Sequence, residues 1–141
     1  MPAIYQLTHT VRDSEIDDQG HVGNLQYLKW MQRAAIEHST AQGWSPQRYA
    51  EIGASWVVRS HSIVYLQPAL AGQQVAVLTW VSNFRKTRSL RKYKVVRPAD
   101  GTLLAVGQTE WAYIGIQHRV LRRIPPELAE AFELVPESEE P

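Results

Sequence analysis

The stretch that decides the fold is residues 17–27, which read Asp17-Asp18-Gln19-Gly20-His21-Val22-Gly23-Asn24-Leu25-Gln26-Tyr27. Two aspartates and a histidine lie on a turn interrupted by glycines, and a mostly apolar run over residues 25–36 follows. A turn that carries a carboxylate and leads into a helix is a compact reaction site. The carboxylate can act as a base or a nucleophile, and the free N–H groups of the helix start can stabilise an oxyanion.

The sequence on either side predicts one strand before this turn and one long helix after it. Residues 4–12 mix β-branched and aromatic side chains with polar ones, as strands do. Asn24 is a good N-cap for a helix over residues 25–41, which Gly43 ends. Apolar side chains cover more of this helix than a surface helix needs, which indicates a helix enclosed by other structure.

The second half of the chain reads mainly as strands. Ser45 followed by Pro46 predicts the start of a short helix that ends near Gly53. Strands are predicted over residues 55–67, 73–84, 89–97 and 103–116, with a short strand over 119–123 and a final helix over 125–132. Because one helix cannot cover both faces of a large sheet, the sheet is expected to curl around it. The predicted class is α+β, with an antiparallel five- or six-stranded sheet wrapped around one long central helix.

Length and composition limit the number of domains, the location and the chemistry that the chain can have. The 141 residues predict a single domain over residues 1–135 and an acidic, disordered tail over 136–141. No apolar run is long enough for a membrane helix and the N-terminus lacks a signal-peptide layout, so a cytoplasmic protein without a membrane partner is expected. The absence of cysteine excludes disulfides and cysteine chemistry, and the five histidines show no metal-ligand spacing, so no metal is predicted.

The order of elements and the turn motif resemble the hotdog-fold thioesterases, in particular the 4-hydroxybenzoyl-CoA thioesterase-like branch and the acyl-carrier-protein thioesterases. The family pattern is an aspartate, a glycine, a hydrophobic pair and a helix tyrosine ten residues after the aspartate. The residues on those positions here are Asp17, Gly20, Val22 and Tyr27. The resemblance implies the hotdog fold and covers nearly the whole chain in element order.

The resemblance also implies roles for individual residues. Asp17 matches the catalytic aspartate, and the backbone N–H at Asn24 matches the group that polarises the thioester carbonyl. His21 matches a functional histidine of the carrier-protein branch, whose asparagine two residues after the aspartate is Gln19 here. Gly20 and Tyr27 are expected beside the substrate.

Each of these residues also has an ordinary structural interpretation. An aspartate before glycine often bonds its own turn, and the histidine can be satisfied by nearby backbone. Asn24 can serve as the N-cap, and Tyr27 can pack beneath the site. Glu15 and Asp18 are interpreted as solvated side chains without a role.

A second candidate functional site is the basic segment at the hairpin turn after residue 84. Arg85, Lys86 and Arg88 can project together beyond the sheet edge, where cationic side chains suit the phosphates of coenzyme A. In the CoA-using branch the matching segment also has an aromatic residue before basic ones, the position that Phe84 occupies. The alternative is a solvated basic turn. A nucleic-acid surface is not expected, since the net charge is only +1.

These expectations combine into one function and two alternatives. The resemblance implies an acyl-CoA thioesterase that releases free acid and CoA, with Asp17 as base or nucleophile and the helix start near Asn24 as the oxyanion site. The alternatives are an acyl-carrier-protein thioesterase, with the carrier protein as partner, and a module that binds acyl-CoA without turnover. No cofactor is expected, because coenzyme A is part of the substrate. The uncovered sheet edge predicts a homodimer, with a tetramer as the larger option.

Overall fold

The computed structural model describes residues 3–141, so Met1 and Pro2, with which the predicted domain begins, lie outside the described residues. The described chain forms one antiparallel sheet of five strands in the order β1-β3-β4-β5-β2. The strands are β1 (Ile4–Thr10), β2 (Ala54–Tyr65), β3 (Gln74–Phe84), β4 (Arg88–Arg97) and β5 (Thr102–Gly115). The helices are α1 (Asn24–Ala41), α2 (Pro46–Ile52) and α3 (Pro126–Glu130).

The main core lies between α1 and the sheet. Buried side chains of α1 meet buried side chains of the central strands, including Trp30, Met31, Val77, Val95 and Leu104. Each apolar side chain of this size contributes about 1.5–3 kcal/mol when it is fully buried. The predicted α+β class and the sheet wrapped around one long helix are therefore confirmed.

The helix comes especially close to β5 at Gly107. A Cβ atom at this glycine would lie 3.0 Å from the Met31 side chain and 3.2 Å from the carbonyl oxygen of Ser62. A larger residue would therefore require the end of the Met31 side chain to move and the neighbouring strand to shift by a few tenths of an ångström. The absent side chain at Gly107 leaves room for Met31 against the sheet.

A second cluster closes the end of the sheet that lies away from the start of α1. It combines residues of α2, of the strand ends and of the C-terminal segment, among them Trp44, Tyr49, Val81, Tyr113 and Leu128. The predicted start of α2 is confirmed, because the Ser45 side chain accepts a hydrogen bond from the Arg48 N–H at 3.1 Å. Its predicted end is confirmed as well, since Gly53 adopts a left-handed φ of 73°.

Three predicted details of the elements are wrong. The N-cap of α1 is Gly23 instead of Asn24, because the Gly23 N–H is held by the Glu15 carbonyl at 3.0 Å and its backbone is extended. The predicted strand over 119–123 is a single bridge between Ile114 and Leu121. Arg119 there has a φ of 53°, which bends the chain out of an extended course. The last helix ends at Glu130 instead of residue 132.

The acidic tail, for which the sequence predicts disorder, has defined partners on β4. Glu137–Glu139 form a 3₁₀ turn, and the Glu140 carboxylate accepts from Lys92 Nζ at 2.6 Å. Lys94 donates to the Pro141 carbonyl. Lys92 and Lys94 lie two positions apart on a strand and therefore share a face. The C-terminal segment binds both lysines along this face. The predicted domain boundary before residue 136 stays a prediction.

The Glu15 side chain is largely covered and hydrogen-bonded, so its interpretation as a solvated side chain is wrong. One carboxylate oxygen lies 2.7 Å from His9 Nε2 and accepts the Arg12 N–H at 2.9 Å, and the other accepts Trp30 Nε1–H at 2.8 Å. The 3₁₀ turn Asp13–Glu15 directs this carboxylate inward, and its side chain is only 10% exposed. These bonds join β1, the turn and α1 just before Asp17.

The hydrogen bonds also determine the charge of Glu15. Burial alone would raise the pKa of its carboxyl group, but the bonds from the Arg12 backbone, His9 and Trp30 stabilise the ionised form more strongly. The pKa of Glu15 therefore lies below its usual value. A carboxylate with a lowered pKa stabilises the folded protein above its unfolded pKa, and this contribution is lost as pH falls through the folded value.

Replacing the carboxylate tests this coupling. Glu15→Gln is expected to lower the free energy of unfolding by about 1.5–3 kcal/mol at neutral pH, the range for hydrogen bonds to charged groups. Because wild-type Glu15 becomes protonated in acid, the difference between wild type and variant shrinks as pH falls from the unfolded glutamate pKa of about 4.3 through the lower folded value. Urea unfolding at several pH values measures it, with the exposed Glu133→Gln as control. An equal difference at pH 3 and pH 7 would contradict the assignment.

Candidate active site

The turn that carries Asp17 is a closed loop. An antiparallel bridge joins Ile16 and Val22 at its base. Inside it, the Asp17 N–H donates to the His21 carbonyl at 2.9 Å, and the Gly20 N–H donates to the Asp17 carbonyl at 3.0 Å. Gly20 adopts a φ of 84°, which residues with a side chain rarely adopt. Gly20 thus shapes the loop, and Asp17 is held at its entrance.

The carboxylate of Asp17 faces the start of α1. A Cβ atom at Gly23 would lie 3.8 Å from Asp17 Cβ and 4.0 Å from Oδ2, so the absent side chain leaves this space open. The other oxygen, Oδ1, accepts the Gln19 N–H at 2.9 Å. Asp17 therefore fills the turn-forming role with one oxygen and presents the other to the helix start. Its side chain is 40% exposed in the single chain.

The start of α1 offers free donors beside this carboxylate. In residues 3–141 no acceptor takes the N–H of Asn24 or Leu25, and the first N–H of the helix with a partner is that of Gln26, which donates to Gly23 at 3.0 Å. Free N–H groups at a helix start point outward along the axis and bind negatively charged oxygen.

The start of α1 is also fixed to the loop that follows β2. The Val22 N–H donates to the Ala69 carbonyl at 2.9 Å. Tyr65, the last residue of β2, donates from its hydroxyl to the Asn24 carbonyl at 3.2 Å. Two independent contacts therefore hold the donors of the helix start in position.

His21 lies beside Asp17 without a hydrogen bond to it. Its Nδ1 is 4.0 Å from Asp17 Oδ1 and 3.3 Å from the Val22 carbonyl oxygen. The imidazole thus has a backbone partner, as its structural interpretation expects, while it remains partly exposed within the same turn.

Tyr27 is buried beneath the helix start. Its hydroxyl accepts the Ala69 N–H at 3.2 Å, and its ring packs against Trp30 and Tyr65 at centroid distances of 5.1 and 5.2 Å. Burial raises the pKa of the Tyr27 hydroxyl, so it stays protonated. Its position agrees with the packing interpretation, in which it supports the loop that holds α1.

The basic turn at residues 85–88 has a hydrogen-bonded backbone and exposed or partly exposed side chains. The Arg85 N–H donates to the Arg88 carbonyl at 2.7 Å, and the Lys86 carbonyl accepts from the Ile124 N–H at 2.9 Å. Arg85 and Lys86 are exposed, whereas Arg88 lies 3.5 Å from Glu110. The ring of Phe84, just before the turn, stacks on Trp56 at 6.4 Å.

The structure separates the predicted site residues into two groups at opposite ends of the sheet. Thr10, which leads into the aspartate turn, pairs with Gln74 at the start of β3, and Phe84 ends the same strand. Ten residues of strand span about 33 Å. One end holds Asp17, Gly20, His21, Asn24 and Tyr27, and the other holds Phe84, Arg85, Lys86 and Arg88. Within one chain these groups do not meet.

A cavity of about 350 Å³ opens at the basic-turn end, between the second half of α1, α2 and the strand ends. Its walls are mainly apolar and include the aromatic side chains of Tyr49, Trp56, Phe84, Trp111 and Phe132, after which it is called the aromatic cavity. The sequence showed that tryptophans are plentiful but not which ones line a cleft, because the walls come from segments far apart in the chain.

Arg91 also lines this cavity and was missed as a functional residue. It belongs to the basic run after residue 84, yet it is only 6% exposed. The signal was the alternation along β4, where residues 89, 91, 93 and 95 are buried and the residues between them are more exposed. That alternation places Arg91 on the inward face together with Tyr93 and Val95.

The described residues show neither a metal-binding cluster nor a membrane-spanning helix. In the part of the chain that the structure describes, no cluster of histidine, aspartate and glutamate side chains is arranged to hold a metal ion. Of the helices within residues 3–141, none combines the length and apolar character that crossing a bilayer requires.

Comparison with known proteins identifies the family to which the chain belongs. The model of the thioesterase-like superfamily matches residues 11–132. A comparison with curated protein sequences gives no match.

Solved structures show the same fold at low sequence identity. A 1,4-dihydroxy-2-naphthoyl-CoA thioesterase from Synechocystis is 21% identical, with a TM-score of 0.84 over 91% of this chain and 94% of its own. A DHNA-CoA thioesterase from Staphylococcus aureus is 24% identical, with a TM-score of 0.84 over 91% and 87%. A hypothetical protein from Staphylococcus aureus, solved in complex with CoA, is 16% identical, with a TM-score of 0.85 over 91% and 80%.

The match to the family model spans the aspartate turn, α1, the sheet and the cavity walls. The five-stranded sheet around one helix agrees with the architecture of the solved structures. The chain therefore belongs to the thioesterase-like superfamily and has the hotdog fold.

Proposed function

We propose that the protein hydrolyses acyl-CoA thioesters to a free acid and CoA at the turn that carries Asp17. The observation that carries the proposal is the position of Asp17 Oδ2, which faces Gly23 at the start of α1. A carboxylate beside free helix N–H groups supplies the two requirements of thioester cleavage, an attacking group and a binding site for the developing oxyanion. Membership of the thioesterase-like superfamily supports this reaction class.

The reaction follows from the chemistry of these groups. The thioester carbonyl oxygen accepts from the N–H groups of Asn24 and Leu25, which makes its carbon more electrophilic. Asp17 then either removes a proton from a water that attacks this carbon or attacks it directly and forms an anhydride, which water hydrolyses. In both routes the electron pair of the C–S bond leaves with sulfur, and the CoA thiolate takes up a proton.

A complete site requires a second copy of the chain. Strand β2 pairs only with β5 in the described sheet, so its outer edge carries unpaired backbone groups over 12 residues. Apolar side chains beside this edge, such as Val64 and Tyr65, are about half exposed. An edge of this length and composition is suited to pairing with an identical edge in a two-fold homodimer.

Antiparallel pairing of two β2 strands brings the separated groups together. The end of β2 contacts the helix start through Tyr65 and Asn24, and its beginning contacts the basic-turn end through Trp56 and Phe84. When two such strands run in opposite directions, the end of one lies beside the beginning of the other. The aspartate turn of each subunit then lies next to the aromatic cavity and the basic turn of its partner.

The basic turn supplies the contact with coenzyme A in this arrangement. Arg85 and Lys86 project from a backbone that is fixed by hydrogen bonds, and flexible cations at a cleft mouth bind phosphate groups well. The CoA complex of a similar structure supports a CoA ligand. Coenzyme A enters as part of the substrate, no separate cofactor is required, and the proposed location is the cytoplasm.

One observation favours a second candidate, a module that binds acyl-CoA without turnover. The 40% exposure of the Asp17 side chain in the single chain leaves the carboxylate in contact with water. In the proposed dimer the partner subunit covers this face. The thioesterase and the binding module then differ in one testable respect, which is whether hydrolysis depends on Asp17. An acyl group carried on a carrier protein, the remaining alternative, would enter the same cleft through its phosphopantetheine arm.

Hydrolysis of a panel of short, aromatic and long acyl-CoA esters tests the reaction, with free thiol release as the signal. Asp17→Asn is expected to lower kcat/KM by about 100-fold or more, because the amide retains the size but cannot act as base or nucleophile. The neighbouring Asp18→Asn is the matched control and is expected to retain activity. If Asp17→Asn leaves turnover unchanged, the reaction site lies elsewhere. If wild type hydrolyses no CoA ester, the non-catalytic acyl-CoA-binding module or a carrier-protein substrate is favoured.

Mixing two impaired variants tests whether the site is shared between subunits. One variant carries Asp17→Asn, and the other carries Arg85→Ala with Lys86→Ala. When equal amounts are unfolded and refolded together, half of the dimers are mixed, and each of these has one intact site. Activity at low substrate concentration is expected to return to about a quarter of the wild-type value. Activity no higher than the mean of the two variants would contradict a shared site.

A further inference from the structure

The aromatic cavity contains a buried cation that the proposed reaction does not use. Arg91 lies in the middle of β4, where it pairs with Val81 and Thr109 across the sheet, and its side chain points into the fold. It is the one charged residue among the described residues that line the cavity. The guanidinium carbon also lies 5.9 Å from the ring centre of Phe132, another wall residue.

The side chains that accept hydrogen bonds from Arg91 are neutral. Its Nη1 donates to His38 Nδ1 at 2.9 Å and to Thr79 Oγ1 at 3.1 Å. Because Nδ1 accepts this bond, the His38 ring is the neutral tautomer with its proton on Nε2. The Thr79 hydroxyl donates in turn to the Lys92 carbonyl at 3.0 Å. Neither partner therefore supplies a negative charge.

No carboxylate compensates the guanidinium from within the described chain. In residues 3–141 no acidic side chain lies within ion-pair distance of Arg91, and Glu110, on the neighbouring strand, is paired with Arg59 and Arg88. Burial lowers the pKa of Arg91, but a guanidinium remains charged in proteins. A buried and uncompensated charge is costly and is normally found where an opposite charge binds.

The rest of the cavity wall has few polar groups to offer. The hydroxyl of Ser39 donates to the Trp44 carbonyl at 2.6 Å, and that of Ser89 donates to the Asn83 carbonyl at 3.0 Å. The remaining walls are largely aromatic and aliphatic. A ligand that fills this space is therefore expected to be apolar over most of its length and to carry one negative group that reaches Arg91.

We infer that the cavity binds an acyl chain whose far end carries a carboxylate, with Arg91 as the residue that selects it. A guanidinium matches a carboxylate in shape and can donate two parallel hydrogen bonds to it. This inference rests on the proposed function, since the acyl chain reaches the cavity from the aspartate turn of the partner subunit. The substrates are then thioesters of dicarboxylic acids, and Arg91 is a specificity-determining residue.

A binding experiment without any thioester tests the cavity on its own. The probes are pentanoate and its neutral analogue pentanamide, compared by the rise in Tm at matched ionic strength. Pentanoate is expected to raise the Tm of wild type more than pentanamide does. Arg91→Met removes this difference, and Arg33→Met, at an exposed arginine of α1, retains it. Equal shifts for the two probes on wild type would overturn the inference.

A matched pair of substrates tests the selection during hydrolysis. Glutaryl-CoA and pentanoyl-CoA have the same chain length and differ by a carboxylate in place of a methyl group. Wild type is expected to prefer glutaryl-CoA by about tenfold or more in kcat/KM, and Arg91→Met is expected to lose that preference. A preference for pentanoyl-CoA in wild type, or an unchanged preference in the variant, would overturn the inference.

A second variant keeps the test decisive if Arg91→Met does not fold. Ala50 is exposed on α2 at the rim of the cavity, so Ala50→Trp blocks the entrance and leaves Arg91 unchanged. It is expected to abolish the response to pentanoate, and a full response would overturn the inference. If the protein hydrolyses thioesters but neither prefers glutaryl-CoA nor gains Tm with pentanoate, only this inference is refuted. A pentanoate response that depends on Arg91, in a protein that hydrolyses no thioester, refutes only the proposed function.

Discussion

The packing of one 18-residue helix into the curve of a five-stranded sheet is the constraint on which the rest of the structure depends. A helix of that length spans about 27 Å, close to the length of the strands that surround it. Its start and its end therefore lie at opposite ends of the sheet. The turn with Asp17 is fixed to one end and the aromatic cavity with Arg91 to the other, and we propose that these are two halves of one site.

The two ends differ in their chemistry. At the helix start, Asp17 and the free N–H groups form a polar, water-accessible arrangement on a closed loop, supported from beneath by Tyr27 and the Glu15 network. At the other end, apolar and aromatic side chains enclose a cavity with one charged residue among its described lining residues, Arg91. The first arrangement suits bond cleavage and the second suits recognition of an acyl group. The proposed pairing of β2 edges would bring the two arrangements together from different subunits.

The sequence was informative where the signals were local. The alternation of the strands, the start of α2 at Ser45 and the breadth of the apolar face of α1 predicted the elements and the sheet around the helix. The aspartate turn was also identifiable, because Asp17 and Gly23 lie within seven residues of each other. The N-cap of α1 was misassigned because the bond that fixes Gly23 comes from Glu15, which lies outside the motif.

What the sequence could not show depends on contacts between distant segments. The carboxylate of Glu15 was interpreted as solvated because its partners His9 and Trp30 belong to a strand and a helix on either side. The burial of Arg91 depends on His38 and Thr79, which are 53 and 12 residues away. Such networks arise from tertiary packing. In the sequence Arg91 belongs to the basic run after residue 84, and its charge does not distinguish it from the exposed residues of the turn.

Chemical cross-linking between the two ends of the molecule tests the central claim most directly. The chain contains no cysteine, so Leu25→Cys at the helix start and Arg85→Cys in the basic turn introduce unique reactive positions. Within one chain these positions are too far apart for a short bis-maleimide, because about 33 Å of strand separates the two ends. The account predicts that the chain with both substitutions forms a covalent dimer and that either single variant does not. A doubly substituted chain that remains monomeric after treatment would contradict the shared site.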